Sequence, residues 1–201
     1  MILKTTKELY QIAVNAEIDV YKNNIDLGTT EFKVTEDRYK GDNLNILAIA
    51  GSNEREDWLK NFNLLSRGGF KKVGVDAVED IRGKVVLYRI KMYQEPLLIV
   101  THSKSGVTGA VLADYFHGCP WVHVVCFAPA PSVFVFGKKK KIYYGNMTRF
   151  IDPDDIVPKA GWPLFVQPRC NEIVLPNNKI GYDLSDHKLS NYKAYIDSME
   201  Y

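Results

Sequence analysis

The segment LLIVTHSKSG, residues 97–106, is an apolar run that stops abruptly at a serine set among small residues. The pattern of residues 107–116 predicts a helix directly after it. A sharp turn between a buried strand and a helix exposes a nucleophilic serine, and the tight turn requires small neighbours. Thr101 and Ser105 stand where the G-x-S-x-G pattern has glycine. An ordinary helix N-cap at Ser103 is the alternative interpretation.

The composition is that of a globular protein. Of the 201 residues, 46% are hydrophobic and 12% aromatic, and 26 basic and 24 acidic side chains leave a net charge of +2. We therefore expect one domain over residues 1–201 and no nucleic acid partner. No apolar run reaches the roughly 20 residues of a membrane span. Residues 1–14 lack the pattern of a signal peptide, so a cytoplasmic location is expected.

The cysteines and the charged runs indicate neither a disulfide framework nor a metal site. Cys119, Cys126 and Cys170 are odd in number and lack metal-ligand spacing, so free thiols are expected. No phosphate loop and no metal-spaced cluster is present, so no cofactor and no metal are predicted. One basic run has the charge to contact an anionic membrane surface, although solvated loop charge is the simpler interpretation. It consists of Lys138, Lys139, Lys140 and Lys141.

Strand-like and helix-like patterns alternate along the chain. Such alternation is typical of a mostly parallel sheet covered by helices, which is the α/β architecture we expect. The predicted elements are a helix over residues 5–22, an edge strand over 30–40, a buried strand over 45–50, one or two helical turns within 73–90, buried strands before Ser103 and over 121–128, a short strand over 149–151, a hairpin over 166–174 around Asn171 and a helix over 188–201.

A catalytic serine needs a base within hydrogen-bond reach, because its hydroxyl is a weak nucleophile. The chain has four histidines. His102 adjoins Ser103, and its side chain is expected to leave the turn in another direction. His117 falls at the end of a predicted helix and His123 inside a buried strand, so structural roles are expected for both. His187, in a polar loop late in the chain, is the candidate base, and an exposed loop residue is its alternative role.

Three aspartates are candidates for the acid that orients the base. Asp152, Asp154 and Asp155 follow the predicted strand over residues 149–151. A loop between the serine and the histidine is where the chain order serine, acid, histidine requires the acid. Acidic loops are also commonly solvated or cap a following helix, so position alone leaves the choice open.

Seven stretches, in the same order, resemble the class 3 lipase family, the fungal-type triacylglycerol lipases and their small bacterial and phage relatives. The resemblance extends over residues 45–192 and leaves residues 1–44 as an N-terminal helix and edge strand. The similar stretches are Ile46–Ser52, Asp57–Leu59, Gly69–Phe70, Thr101–Gly106, Phe127–Pro131, Asp155–Pro158 and Asp186–Tyr192.

This resemblance implies an α/β-hydrolase fold with a mostly parallel central sheet and a reduced lid. It also implies a lipase-like or esterase-like serine hydrolase that cleaves carboxylic esters of small molecules or lipids through an acyl-enzyme. Ser103 would be its nucleophile, His187 its base and Asp155 its acid. The backbone N–H groups of Ser52 and Lys104 would form the oxyanion hole.

The turn around the serine departs from the family pattern. Thr101 and Ser105 replace glycine, and Lys104 places a charge beside the nucleophile. These departures favour the alternative hypothesis of a catalytically inactive protein of the same fold that serves in binding or assembly. Asp152 remains a second candidate for the acid. Residues 53–68 are the nearest candidate for a lid, although core packing is the simpler role for their apolar side chains.

Overall fold

A six-stranded sheet with helices on both faces forms the centre of the fold. The computed structural model describes residues 3–22, 32–51, 75–79, 81, 86–134, 141–159, 165–176 and 184–200. Its strands are β1 Phe32–Tyr39, β2 Asp42–Ile49, β3 Leu97–His102, β4 Val122–Phe127, β5 Val133–Phe134, β6 Tyr143–Ile151, β7 Phe165–Val166 and β8 Arg169–Val174. The order in the main sheet is β1-β2-β3-β4-β6-β8. There β1 is antiparallel to β2 and the other neighbours are parallel, while β5 and β7 form a separate antiparallel pair.

Helices cover the two faces of the sheet. They are α1 Lys7–Lys22, α2 Val86–Tyr93, α3 Gly106–Tyr115 and α4 Leu189–Ser198. Residues 75–79 are also helical. α1 and α4 pack on one face, and α2 and α3 pack on the other. Among the described residues, no helix combines the length and hydrophobicity needed to span a membrane.

The central strands are apolar throughout because both of their faces are covered. Every residue of β3 and β4 is buried. In β3, Leu98 and Val100 pack with α1 and α4, whereas Leu97 and Ile99 pack with α2 and α3. A parallel strand between two helical layers has no face for polar residues, which explains the continuous apolar run in the sequence.

The predicted mostly parallel sheet covered by helices is confirmed. The N-terminal helix, the edge strand β1, the buried strands β2, β3 and β4, the helix after Ser103 and the C-terminal helix also lie where they were predicted. Their apolar spacings reflect burial on a sheet face, so the local pattern was sufficient to locate them.

One prediction in the C-terminal third was wrong, and another located only the end of a longer strand. The hairpin around Asn171 is absent from the described residues, where Asn171 lies inside β8, a single strand parallel to β6. The strand over residues 149–151 is the end of β6, which begins at Tyr143 and has nine residues. Polar residues are tolerated in β8 because it is an edge strand with mostly exposed side chains. A register shift between Tyr144 and Thr148 interrupts the alternation expected of β6.

Helix α1 carries a buried carboxyl group. Glu17 is 0% exposed, and neither of its carboxyl oxygens has a hydrogen-bond partner among the described residues. Burial raises the pKa of Glu17 well above its usual value, because the charged form loses its hydration. The folded protein therefore holds a proton on Glu17 at pH values where the unfolded chain releases it, and stability falls as pH rises above about 4.5.

We expect Glu17→Gln to remove this pH dependence. The free energy of unfolding of Glu17→Gln minus that of the wild type should rise by about 1.4 kcal/mol for each pH unit above 4.5. The rise should end once the pH passes the folded-state pKa of Glu17. Urea unfolding of both proteins at pH 5 and pH 8 measures it. An equal difference between the two proteins at both pH values would contradict the account.

Candidate active site

The parallel strands bring the predicted catalytic residues to one edge of the sheet. Ser103 and Asp155 lie just after the carboxyl ends of β3 and β6. His187 ends the short 3₁₀ helix Leu184–His187 and meets Asp155 at that edge. Gly51 lies just beyond the end of β2 on the same edge. The carboxyl ends of parallel strands meet at one edge, where open α/β sheets bind their ligands.

Ser103 has a backbone conformation that side chains rarely adopt. Its φ angle is +60°, and its side chain is 1% exposed. A residue other than glycine pays about 1–2 kcal/mol for this left-handed conformation. The Ala130 N–H donates to the Ser103 carbonyl oxygen at 3.0 Å and helps to hold the turn. Among the described residues, the Ser103 Oγ atom has no hydrogen-bond partner.

The Ser105 side chain has a structural role at this turn. Its hydroxyl oxygen accepts the His102 N–H at 3.0 Å. The hydroxyl proton can go to the Ile49 carbonyl at 2.6 Å or to the His102 carbonyl at 2.9 Å. Ser105 therefore links the end of β2 to the turn that carries Ser103. A glycine at this position could make none of these bonds.

Two glycines in α3 allow the helix to approach the sheet closely. A Cβ atom at Gly109 would lie 2.9 Å from both Cys126 Sγ and Thr101 Oγ1, and one at Gly106 would collide with Pro129. The Thr101 side chain on the strand fits because Gly109 has no side chain on the helix that faces it. Gly109 was not singled out from the sequence, although an isolated glycine within a helical pattern is a recognised signal of close packing.

His187 and Asp155 form a hydrogen-bonded pair. The distance from His187 Nδ1 to Asp155 Oδ2 is 2.7 Å, and Asp155 is fully buried. Asp155 Oδ1 also accepts the Val157 N–H at 2.9 Å, and Tyr192 donates a long hydrogen bond of 3.4 Å to Oδ2. Because Nδ1–H donates to the carboxylate, a neutral His187 carries its lone pair on Nε2. That tautomer is the one a general base requires.

The other aspartates of the loop have different roles. Asp152 Oδ1 accepts the Asp154 N–H at 2.9 Å and stabilises the turn that leads to Asp155. Burial raises the pKa of Asp152, and the neighbouring Asp186 charge raises it further. Of the three acid candidates, the structure pairs Asp155 with the histidine.

The remaining histidines occupy structural positions. His123 lies inside β4, where its Nε2 is 3.0 Å from Thr148 Oγ1 and burial lowers its pKa to about 4. His117 is exposed beyond the end of α3. The His102 ring stacks on His187 with a centroid distance of 4.6 Å. Burial, followed by the nearby His187, lowers the pKa of His102 to about 3, so this ring is neutral at ordinary pH.

Of the two predicted oxyanion donors, Lys104 is among the described residues and Ser52 is not. Lys104 lies in the first helical turn after the serine, where backbone amides point out of the helix start and favour negative charge. Ser52 lies outside the described residues, as do the lid candidate over residues 53–68 and the lysines Lys138–Lys140. A Cβ atom on Gly51 would lie 3.0 Å from the Ser103 Cβ atom, so Gly51 lies beside the serine.

The described residues contain no candidate metal centre. No group of three His, Cys, Asp or Glu side chains within them is arranged as metal ligands would be. Cys119 and Cys126 are buried free thiols, and Cys170 is a partly exposed one.

Comparison with known proteins identifies no family for this chain. The sequence matches no protein-family model and has no significant match among curated proteins. The structure shows an α/β fold with a mostly parallel six-stranded sheet flanked by helices. The resemblance to class 3 lipases therefore stays a prediction.

We expect Ser103→Gly to be more stable than Ser103→Ala. Glycine adopts the left-handed conformation without strain, whereas alanine retains the strain of the native residue. The difference in the free energy of unfolding should be about 1 kcal/mol, after the larger chain entropy of unfolded glycine is deducted. Urea denaturation of the two variants measures it. A more stable Ser103→Ala variant would show that the turn is unstrained.

Proposed function

We propose that this chain is an α/β-hydrolase that cleaves carboxylic esters, with Ser103 as nucleophile, His187 as general base and Asp155 as the acid. One observation carries the proposal. Ser103 has a left-handed backbone conformation at the end of a central parallel strand, and the hydrogen bond between His187 and the buried Asp155 lies on the same edge of the sheet. Strain of this kind persists only where surrounding contacts impose it, and it is concentrated at functional sites.

The reaction follows from the tautomer of the base. His187 Nε2 takes the proton of the Ser103 hydroxyl as Oγ attacks the ester carbonyl, which produces a tetrahedral oxyanion. The intermediate collapses, the C–O bond to the alcohol breaks, and the leaving alcohol receives the proton from His187. A water molecule, deprotonated by His187, then attacks the acyl-enzyme and releases the carboxylic acid and the free serine.

Buried charge stabilises the transition state in this mechanism. Asp155 is 0% exposed and faces the imidazolium that forms on His187 at a distance of 2.7 Å. Charges attract more strongly away from water, and the Val157 N–H keeps the carboxylate oriented. We place the oxyanion between the backbone N–H groups of Lys104 and Ser52.

The sequence departures at the turn no longer favour an inactive protein. Thr101 fits against Gly109, and the Ser105 hydroxyl links two strand ends. Both residues therefore have structural reasons to differ from glycine that are compatible with catalysis. Lys104 contributes to the proposed site through its backbone N–H, which any residue other than proline supplies.

We expect Ser103→Ala to lose both ester hydrolysis and labelling by a fluorophosphonate probe. Rates are measured on a series of p-nitrophenyl esters of increasing acyl-chain length. For each ester that the wild type cleaves, the rate of Ser103→Ala should be at least about 1,000-fold lower, since the nucleophile is removed. Ser198→Ala, which makes the same chemical change at an exposed position on α4, should keep wild-type activity and labelling.

Three outcomes would contradict the proposal in whole or in part. Wild-type hydrolysis or labelling in Ser103→Ala would place the nucleophile elsewhere. No hydrolysis and no labelling of the wild-type protein would favour the inactive binding or assembly protein instead. Labelling of the wild type with turnover of thioesters alone would keep the nucleophile and overturn the assignment of the substrate class.

We expect Asp155→Asn to lower kcat by about 1,000-fold or more, because an amide in place of the carboxylate neither fixes the base tautomer nor stabilises the imidazolium. Asp152→Asn should lower kcat less than tenfold, since an asparagine oxygen can still accept the Asp154 N–H. Steady-state kinetics of the two variants compares them directly. A larger loss in Asp152→Asn would reassign the acid.

A further inference from the structure

A line of hydrogen bonds connects Gly51, which lies beside Ser103, with His187, the proposed base. The Gly51 N–H donates to Tyr21 Oη at 2.8 Å, Tyr21 Oη lies 2.9 Å from His102 Nδ1, and His102 Nε2 lies 3.0 Å from the His187 carbonyl oxygen. We call these groups the Tyr21–His102 relay. It joins residues from α1, the end of β2, the end of β3 and the short 3₁₀ helix Leu184–His187.

The direction of each hydrogen bond in the relay follows from its chemistry. A carbonyl oxygen only accepts, so His102 Nε2 carries a proton. Burial lowers the pKa of His102 to about 3, so the ring is neutral and its Nδ1 accepts the Tyr21 hydroxyl proton. The Tyr21 oxygen in turn accepts the Gly51 N–H. Each donor therefore meets an acceptor in a single arrangement that runs from Gly51 to His187.

The two ends of the relay lie at the two parts of the site that must be placed accurately. Gly51 precedes Ser52, the proposed oxyanion donor, and a Cβ atom on Gly51 would lie 2.7 Å from Tyr21 Oη. At the other end, His102 binds the backbone of the base and also stacks on its ring, with 28° between the two planes. Errors of about 1 Å in such positions can cost about 100-fold in rate.

Packing of the helix does not depend on the Tyr21 hydroxyl. α1 is buried through other residues, which are Leu9, Tyr10, Ala13, Val14, Glu17 and Val20. The Tyr21 ring also contacts the His102 ring edge-on, with centroids 5.7 Å apart. The hydroxyl can therefore be removed while the ring contact and the burial of α1 are retained.

We propose that Tyr21 and His102 are positioning residues of the hydrolase site. Tyr21 fixes Gly51, the residue before the proposed oxyanion donor Ser52, and His102 fixes the backbone and ring of His187. This inference rests on the proposed function and extends it to two residues that do not take part in the proton transfers. The hydrolytic rate then depends on a tyrosine hydroxyl in the N-terminal helix.

Tyr21→Phe tests the relay, because it leaves the Gly51 N–H without this acceptor and His102 Nδ1 without this donor. We expect kcat for p-nitrophenyl butyrate to fall about 10- to 100-fold, with KM changed less than threefold and the melting temperature lowered by only a few degrees. kcat is expressed per site counted by fluorophosphonate labelling, so that unfolded protein does not contribute. Tyr195→Phe, the same change on α4 outside the relay, should behave as wild type.

A pair of substitutions at His102 tests the second half of the relay independently. His102→Gln retains an amide N–H that can reach the His187 carbonyl, whereas His102→Leu retains none. We expect kcat per labelled site to be about tenfold higher in His102→Gln than in His102→Leu. Equal values in the two variants would overturn the role assigned to His102.

The outcomes separate the relay from the proposed function. Active wild-type protein with wild-type kcat in Tyr21→Phe refutes the relay and leaves the proposed function intact. Wild-type protein that neither hydrolyses the ester nor takes up the label refutes both. A fall in kcat per labelled site in Tyr21→Phe, with Tyr195→Phe unchanged, supports the relay.

Discussion

The left-handed backbone of Ser103 is the constraint on which the candidate site depends. A φ angle of +60° turns the chain from β3 into α3 within a few residues and leaves the serine side chain at the edge of the sheet. The turn is stable only because its surroundings fit it. Ser105 bonds to the adjoining strand end, Ala130 bonds to the Ser103 carbonyl, and Gly109 lets α3 lie against Thr101.

The polar groups around this turn form two connected sets. In one, buried Asp155 orients His187 with the help of the Val157 amide. In the other, neutral His102 connects the backbone of the same base to Tyr21. Most buried polar groups in proteins are hydrogen-bonded, and these two sets pair groups from separate strand ends. These hydrogen bonds position the groups that the proposed chemistry would use.

The sequence was sufficient to predict elements whose local pattern reflects their burial. β3, β4 and the helix after Ser103 were predicted because a position between two layers demands apolar residues. β8 was predicted as part of a hairpin because an edge strand carries polar residues, such as Asn171, that resemble a turn. The resemblance favoured Asp155 over Asp152, but position along the chain left the choice open, because the turn geometry decides which carboxylate reaches His187. Tyr21 could not be identified from sequence because its partner His102 is 81 residues away.

Identification of the residue that a fluorophosphonate modifies tests the central claim most directly. Labelled wild-type protein, digested and analysed by mass spectrometry, should carry one adduct per chain, on the peptide that contains Ser103. Ser103 should react in preference to the other serines, because the nearby histidine–carboxylate pair activates its hydroxyl group. An adduct on a different serine, or no adduct at all, would contradict the account.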